Sequence, residues 1–325
     1  MKLVVTIDVE EEGLFSNQYD SRNVSVKNVR ELNKLDPVFK EWGVRPTLLV
    51  AYPVVSHDPH KDLLLKLAEK WNAEIGAHLH PWNTPPLEPS PYPEPVPSEL
   101  IPRELLVAKL RTLMDEIRKL GVGPVSFRMG RFSMGPKVFS ILEPAGIRVD
   151  SSIAPMSRYY GGPDHLSAMT EPYFPDPHDP LRAGTSSVLE VPMTILPLTR
   201  NLGLWLESLR AKSVLPEKWI SWIAMNAGSI PIQPAWMGLR RLKAGVKLLQ
   251  KRKGSVLTMF FHSSELMPGG YPHHPTVASI DRFVQKLAAF FAWLHSETAV
   301  ESVTLSQLAE SYRKKPRVAV SSSLR

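Results

Sequence analysis

The amino-acid sequence predicts an α/β protein made of βα units wound into a closed or nearly closed barrel, with an open doubly wound sheet as the alternative. Two observations carry this expectation. Short apolar, β-rich runs alternate with amphipathic helical patterns over most of the 325 residues, as they do where helices cross over between parallel strands. The acidic, imidazole and guanidinium groups that stand out also follow directly on β-rich runs, where the loops of such folds converge.

The expected strands cover residues 3–7, 47–51, 74–77, 125–127, 147–149, 188–191, 256–261 and, more weakly, 300–303. Between them, residues 104–120 place Leu106, Leu110, Leu113, Ile117 and Leu120 on one helical stripe, and Gly121 follows as a C-terminal cap. Residues 279–294 do the same with Ile280, Phe283, Leu287 and Leu294, and Leu63, Leu67 and Trp71 mark another helix. Two stretches break the rhythm. Residues 81–102 are rich in proline and read as a stiff extended loop, a wall beside the site. Residues 195–250 carry Trp205, Trp219, Trp222 and Trp236 without a clear strand, and read as an insertion packed on the barrel. The expected organisation is one barrel over residues 1–312 and a flexible tail over 313–325.

Composition narrows the chemistry. With 43% hydrophobic residues the chain can bury a large core, and with no cysteine any metal must be held by His, Asp or Glu. The apolar run at residues 3–7 is too short for a secretory signal and no stretch reaches membrane-spanning length, so a cytoplasmic protein is expected. The net charge is +7, with a basic cluster at residues 240–253. That cluster reads first as a solvated helix face and second as a peripheral contact with anionic lipid or an acidic glycan. No nucleic-acid module accompanies it, so no nucleic-acid partner is expected.

The first strand runs into Asp8-Val9-Glu10-Glu11-Glu12. Four acids after a buried strand are unfavourable unless a cation compensates them, and alternation puts Asp8 and Glu10 on one side. The third strand ends in His78-Leu79-His80-Pro81-Trp82, with both imidazoles on one side of an extended backbone. Imidazole with carboxylate suits a divalent metal: zinc in the first place, or cobalt, nickel or iron. Arg128 leaves the fourth strand in Phe127-Arg128-Met129-Gly130-Arg131-Phe132, and His262 ends the seventh in Phe260-Phe261-His262-Ser263. Taken alone, each has a plain structural reading, an ion pair for the arginine and a hydrogen-bonded core residue for the histidine.

In this order, with Val149-Asp150-Ser151-Ser152-Ile153 between the last two, the segments resemble the polysaccharide deacetylase family. This is the NodB-homology group, or carbohydrate esterase family four. The resemblance spans residues 1–265. It implies a distorted (β/α)7 barrel and metal-assisted removal of an acyl group from an N-acetylated sugar. It also implies roles: Asp8 as general base, Arg128 as its orienting cation, His262 as general acid, and Glu10 and His78 as metal ligands. Two positions depart from the family's pattern. Val9 stands where the second of two adjacent aspartates is usual, and Trp82 stands four residues after His78 where a second histidine is usual, so His80 is expected to take the vacant ligand place. Trp82, Arg131, Tyr159 and Tyr160 are candidate sugar contacts. Hydrolysis of a ureide or cyclic amide, or a degenerate carbohydrate-binding protein, are the alternative functions.

Overall fold

In the structure, a computed structural model, residues 1–21, 24–56, 58–158 and 164–314 are described. Ten strands are found among them: β1 (Lys2–Val9), β2 (Thr47–Val50), β3 (Glu74–Leu79), β4 (Ser126–Met129), β5 (Val149–Asp150), β6 (Leu189–Glu190), β7 (Ile195–Pro197), β8 (Ser229–Pro231), β9 (Val256–His262) and β10 (Glu301–Ser302). The main helices are α1 (Asp36–Trp42), α2 (Tyr52–Ser56), α3 (Asp58–Trp71), α4 (Arg103–Arg118), α5 (Pro136–Leu142), α6 (Leu202–Ala211), α7 (Glu217–Trp222), α8 (Leu239–Lys251), α9 (Val277–Glu297) and α10 (Leu305–Arg313).

Strands β1 to β6 pair in sequence order, all parallel, and β9 returns to pair with the free side of β1. An open doubly wound sheet would change direction of strand order partway. Here it does not, and the sheet is a distorted (β/α)7 barrel. No ladder closes it between β6 and β9. Instead Thr194 spans the gap: its N–H donates to the Thr258 carbonyl at 3.2 Å, and its hydroxyl accepts from the Thr258 N–H at 2.8 Å.

The period-two alternation of each strand sorts its side chains. Leu3, Val5, Ile7 and Val9 of β1 pack outward on the helices, as do Ile75, Ala77 and Leu79 of β3, Phe127 and Met129 of β4, and Leu257, Met259 and Phe261 of β9. The other faces line the barrel interior. At its lower end Val4, Leu49, Val149 and Val256 meet Leu305 and Leu308 of α10, which plugs the barrel. Higher up, the same faces carry Asp8, His78, Arg128 and His262. Gly76 lets β3 and β4 approach closely, since a Cβ there would lie 2.1 Å from the Ser126 hydroxyl. Parallel register places Asp8 beside His262 and His78 beside Arg128.

Residues 195–250 do contain strands, contrary to expectation. β7 and β8 form a two-stranded antiparallel sheet, missed because each is three residues long and ends in proline. Helices α6 and α7 and a π-turn at Ile223–Ala227 fill the space between these strands. The basic cluster divides on α8. Leu242, Gly245, Val246 and Leu249 face inward, Lys243 lies over the Trp293 ring at 5.1 Å, and Arg252 donates to the Pro197 carbonyl, while Arg240 and Lys247 are exposed. No described helix is long and apolar enough to cross a membrane. Of the expected tail, residues 315–325 lie outside the described residues, as do Tyr159 and Tyr160; Arg313 ends α10.

Candidate active site

At the C-terminal end of the barrel the structure brings together Asp8, Glu10, His78, His80, Arg128 and His262. Three donor atoms converge from β1 and β3. The Nε2 atoms of His78 and His80 are 2.9 Å apart, and Glu10 Oε2 lies 3.1 Å from the first and 3.3 Å from the second. The outer nitrogens are committed elsewhere. His78 Nδ1 faces the Arg128 carbonyl at 3.1 Å, which accepts only an N–H, and its Nε2 faces Glu10 Oε2. His80 Nδ1 donates to both Glu11 carboxylate oxygens at 2.9 and 3.0 Å. Partners of this kind fix the tautomer and direction of metal-binding imidazoles. One carboxylate and two imidazoles so oriented fit a divalent ion, and Glu10, His78 and His80 form one of the two groups of such side chains among the described residues.

Charge around these donors is tightly coupled. Burial opposes ionisation of Glu10, yet His262 and the hydrogen bonds of His78 and His80 hold its pKa far below the usual carboxylate range. For His80, burial opposes protonation, but Glu11 and Glu10 outweigh it and raise the pKa to about 10. A proton on His80 therefore places a positive charge between Glu10 and Glu11.

The second half of the site is built around Asp8. Its Oδ1 accepts from Arg128 Nη1, while Oδ2 lies 3.9 Å from His78 Nε2 and 3.8 Å from His262 Nε2. Arg128 is fully buried; its Nε donates to the Ser151 carbonyl at 2.7 Å and its Nη2 to the Thr6 hydroxyl at 2.9 Å. His262 Nδ1 bonds Glu265 Oε1 at 2.8 Å, and Gln233 Nε2 donates to that same oxygen at 3.0 Å. Burial works against a charged His262, but Glu10 and Glu265 prevail and raise its pKa to about 9.

These groups open into a cavity of about 160 Å³ whose walls include Phe15, Tyr19, Trp82, Arg131 and Trp236. Trp82 stacks on His80 with ring centres 4.2 Å apart and donates to Glu11 at 2.8 Å, so it supports the donor set as well as lining the cavity. Arg131 takes a left-handed backbone (φ 55°), lies over Tyr19 and donates to its hydroxyl.

Sequence reasoning missed Glu11, Glu265, Gln233 and Tyr19. Alternation put Glu11 opposite Glu10, but β1 ends at Val9 and the chain turns both inward; the run of four acids was the available signal. Glu265 returns to His262 through a 3₁₀ turn at Ser263–Leu266, an i, i+3 spacing readable only once that turn is known. Nothing in the sequence links Gln233 or Tyr19 to these partners.

At the level of sequence no family model and no curated protein matches the chain. Solved structures do match. A Mycobacterium smegmatis protein described as a polysaccharide deacetylase aligns at 15% identity over 99% of this chain and 94% of its own, with a TM-score of 0.58. A Parabacteroides distasonis protein described as a glycoside hydrolase/deacetylase aligns at 12% identity over 97% of this chain and 72% of its own, with a TM-score of 0.67. A 4-alpha-glucanotransferase from Thermococcus litoralis aligns at 16% identity over 96% of this chain and 40% of its own, with a TM-score of 0.52. The chain has the NodB-type deacetylase fold. Since a glucanotransferase is also among the structures it matches, activity must be argued from the site.

Proposed function

We propose that the chain is a metal-dependent hydrolase that removes an acyl group, acetyl in the first instance, from the nitrogen of an N-acylated sugar. One observation carries the reading. A carboxylate–imidazole–imidazole donor set stands next to an arginine-held carboxylate and a carboxylate-held imidazole, and all face one cavity. Glu10, His78 and His80 are the residues that would hold the ion, and the donor set favours zinc, with cobalt, nickel or iron also suited. Bound there, a divalent ion supplies polarisation of the amide carbonyl and acidification of water.

The chain's own groups divide the proton work. Asp8 takes the proton of the attacking water on Oδ2, the oxygen that Arg128 leaves open; the guanidinium on Oδ1 fixes the direction of the carboxylate. His262 is protonated at neutral pH and exposes Nε2 to the cavity, so it can deliver a proton to the departing amine nitrogen, a poor leaving group without it. Glu265 holds the ring through Nδ1 during the transfer. Trp82 and Arg131 are the described candidates for gripping the substrate, with Tyr19 beside them.

The small aromatic-walled cavity takes the acylated end of a substrate and not a length of polymer, which also leaves room for a second reading as a ureide or cyclic-amide hydrolase. The two are separated by assaying zinc- and cobalt-loaded protein on N-acetylated mono- and oligosaccharides and on hydantoins and ureides. Release of acetate from the sugars supports the first reading, and ring opening alone supports the second. No turnover of either class by metal-loaded protein would leave a carbohydrate-binding protein.

A further inference from the structure

Residues 195–250 differ from the rest of the chain in two ways that point to a partner. They hold eight Lys and Arg against two acids, Glu207 and Glu217, so six of the chain's seven net positive charges fall within them. They also hold four of its eight tryptophans. All four, Trp205, Trp219, Trp222 and Trp236, are exposed by 42–53%, whereas the other four are buried or half-buried. Large indole rings left in water in this number are unfavourable unless something covers them.

These features adjoin one another. Trp219 and Trp222 lie one turn apart on α7, with ring centres 6.1 Å apart. The π-turn that continues α7 is tied to the start of α8, because Arg241 donates to the carbonyls of Asn226 at 2.8 Å and Ser229 at 3.2 Å. Arg240 is exposed at that junction, and Trp236, three residues before α8, lines the active-site cavity. Lys212 and Lys218 are exposed on the segment leading into and along α7. Beside α6 a cavity of about 420 Å³ is lined by apolar side chains, among them Leu204 and Leu249, together with Arg200, Arg252 and Glu171.

We propose that the α6–α7 face and the start of α8 form a docking surface for an anionic lipid bilayer, placing the mouth of the active site at the membrane surface. Indole rings favour the headgroup boundary, where their apolar body and N–H are both satisfied, and lysine and arginine around them meet acidic headgroups. The pairing of charge with exposed apolar rings favours lipid over a glycan chain. The Trp219 and Trp222 rings are inclined at 78°, so they do not present the two parallel faces on which consecutive sugars of one chain would stack.

The test uses the full chain with vesicles of phosphatidylcholine alone or mixed with phosphatidylglycerol, read by co-sedimentation and by quenching of tryptophan fluorescence with brominated acyl chains. The expected result is binding to the mixed vesicles, at least tenfold weaker binding to neutral ones, and weakening in high salt, since screening shortens to about 3 Å at 1 M. Trp219→Ser with Trp222→Ser should lose the quenching and most of the binding, and Lys212→Glu with Lys218→Glu and Arg240→Glu should lose the preference for acidic lipid. Circular dichroism of each variant checks the fold, and the wild-type comparison stands without them. Failure of the folded wild type to bind the mixed vesicles overturns the proposal. So does equal binding by the tryptophan variant, or tryptophan quenching by a soluble glycan without vesicle binding. None of these readouts depends on hydrolysis.

Discussion

At the ends of β1 and β3, Asp8, Glu10 and Glu11 are buried among Arg128, His78, His80 and Trp82. At the ends of β5 and β6, Asp150 and Glu190 are buried against each other. Burial penalises charge equally in the two places, and only the neighbours differ. Cations and N–H donors keep Glu10 ionised at any ordinary pH. Asp150 and Glu190 have the Ser152 hydroxyl, the Ile153 N–H and the more distant charge of Arg128. Burial raises both, and for Glu190 the charge of Asp150 raises it well above the usual range. One acid group is thus arranged to stay charged and the other to keep a proton, and sequence position alone, an acid at a strand end, does not distinguish them.

The contrast is tested most severely at Arg128. Arg128→Met leaves Asp8 buried without its cation, and loss of one partner of a buried pair costs about 3–5 kcal/mol. Urea unfolding should show that loss together with abolished hydrolysis; a variant of wild-type stability would mean that Arg128 does not compensate the cluster. Next come the groups assigned to protons and to metal. Asp8→Asn and His262→Asn should keep bound metal while turnover falls by about 10²–10⁴-fold, whereas Glu10→Ala, His78→Ala or His80→Ala should lose the metal, as measured by elemental analysis on the same preparations. An emptied site in Asp8→Asn would make Asp8 a ligand. Glu11→Gln keeps an acceptor for His80 but removes the charge behind it, and should weaken metal binding by about 10–100-fold.

The pH dependence of stability should separate the two acid groups by sign. Glu10, with a lowered pKa, contributes stability above its unfolded value of about 4.5 that fades as pH falls below it. Glu190, with a raised pKa, contributes stability at and below its unfolded value of about 4.5 and loses it as pH rises toward the folded value. Glu190→Gln should therefore flatten the decline above that pH, and an unchanged profile would remove the proton from the pair. His262 and His80, raised to about 9 and 10, should stabilise the metal-free protein fully below about pH 6.5 and lose that contribution as pH rises through those values. Metal added near pH 7 should displace the His80 proton, so titration in weak buffer should release protons; metal uptake without release would mean that His80 is not a ligand.

Much of the fold was legible because its cause is local. Short apolar, β-rich runs marked the strands of the barrel and helical periodicity the stripe of α4, and the interior face of β1, β3, β4 and β9 carried its chemistry to the rim. What was not legible depends on where the chain turns. Glu11 was misplaced because alternation was carried past the end of β1. Glu265 was invisible without the turn after β9, and β7 and β8 draw their pairing from each other, not from any pattern of their own. The common direction of His78 and His80, by contrast, follows from spacing: an i, i+2 pair on an extended strand points one way, and both rings meet Glu10.

The side-by-side register of Asp8 with His262 and of His78 with Arg128 bears on how such a chain can drift over descent. Deleting or inserting one residue within any of these four strands exchanges its inner and outer faces and removes a reacting group from the interior in a single step. Between the strands no such penalty applies. A lineage built this way is free to rewrite nearly every letter and to lengthen its loops, while the frame of a few short strands stays closed to insertion. The constraint then falls on the spacing of positions within strands and not on stretches of text.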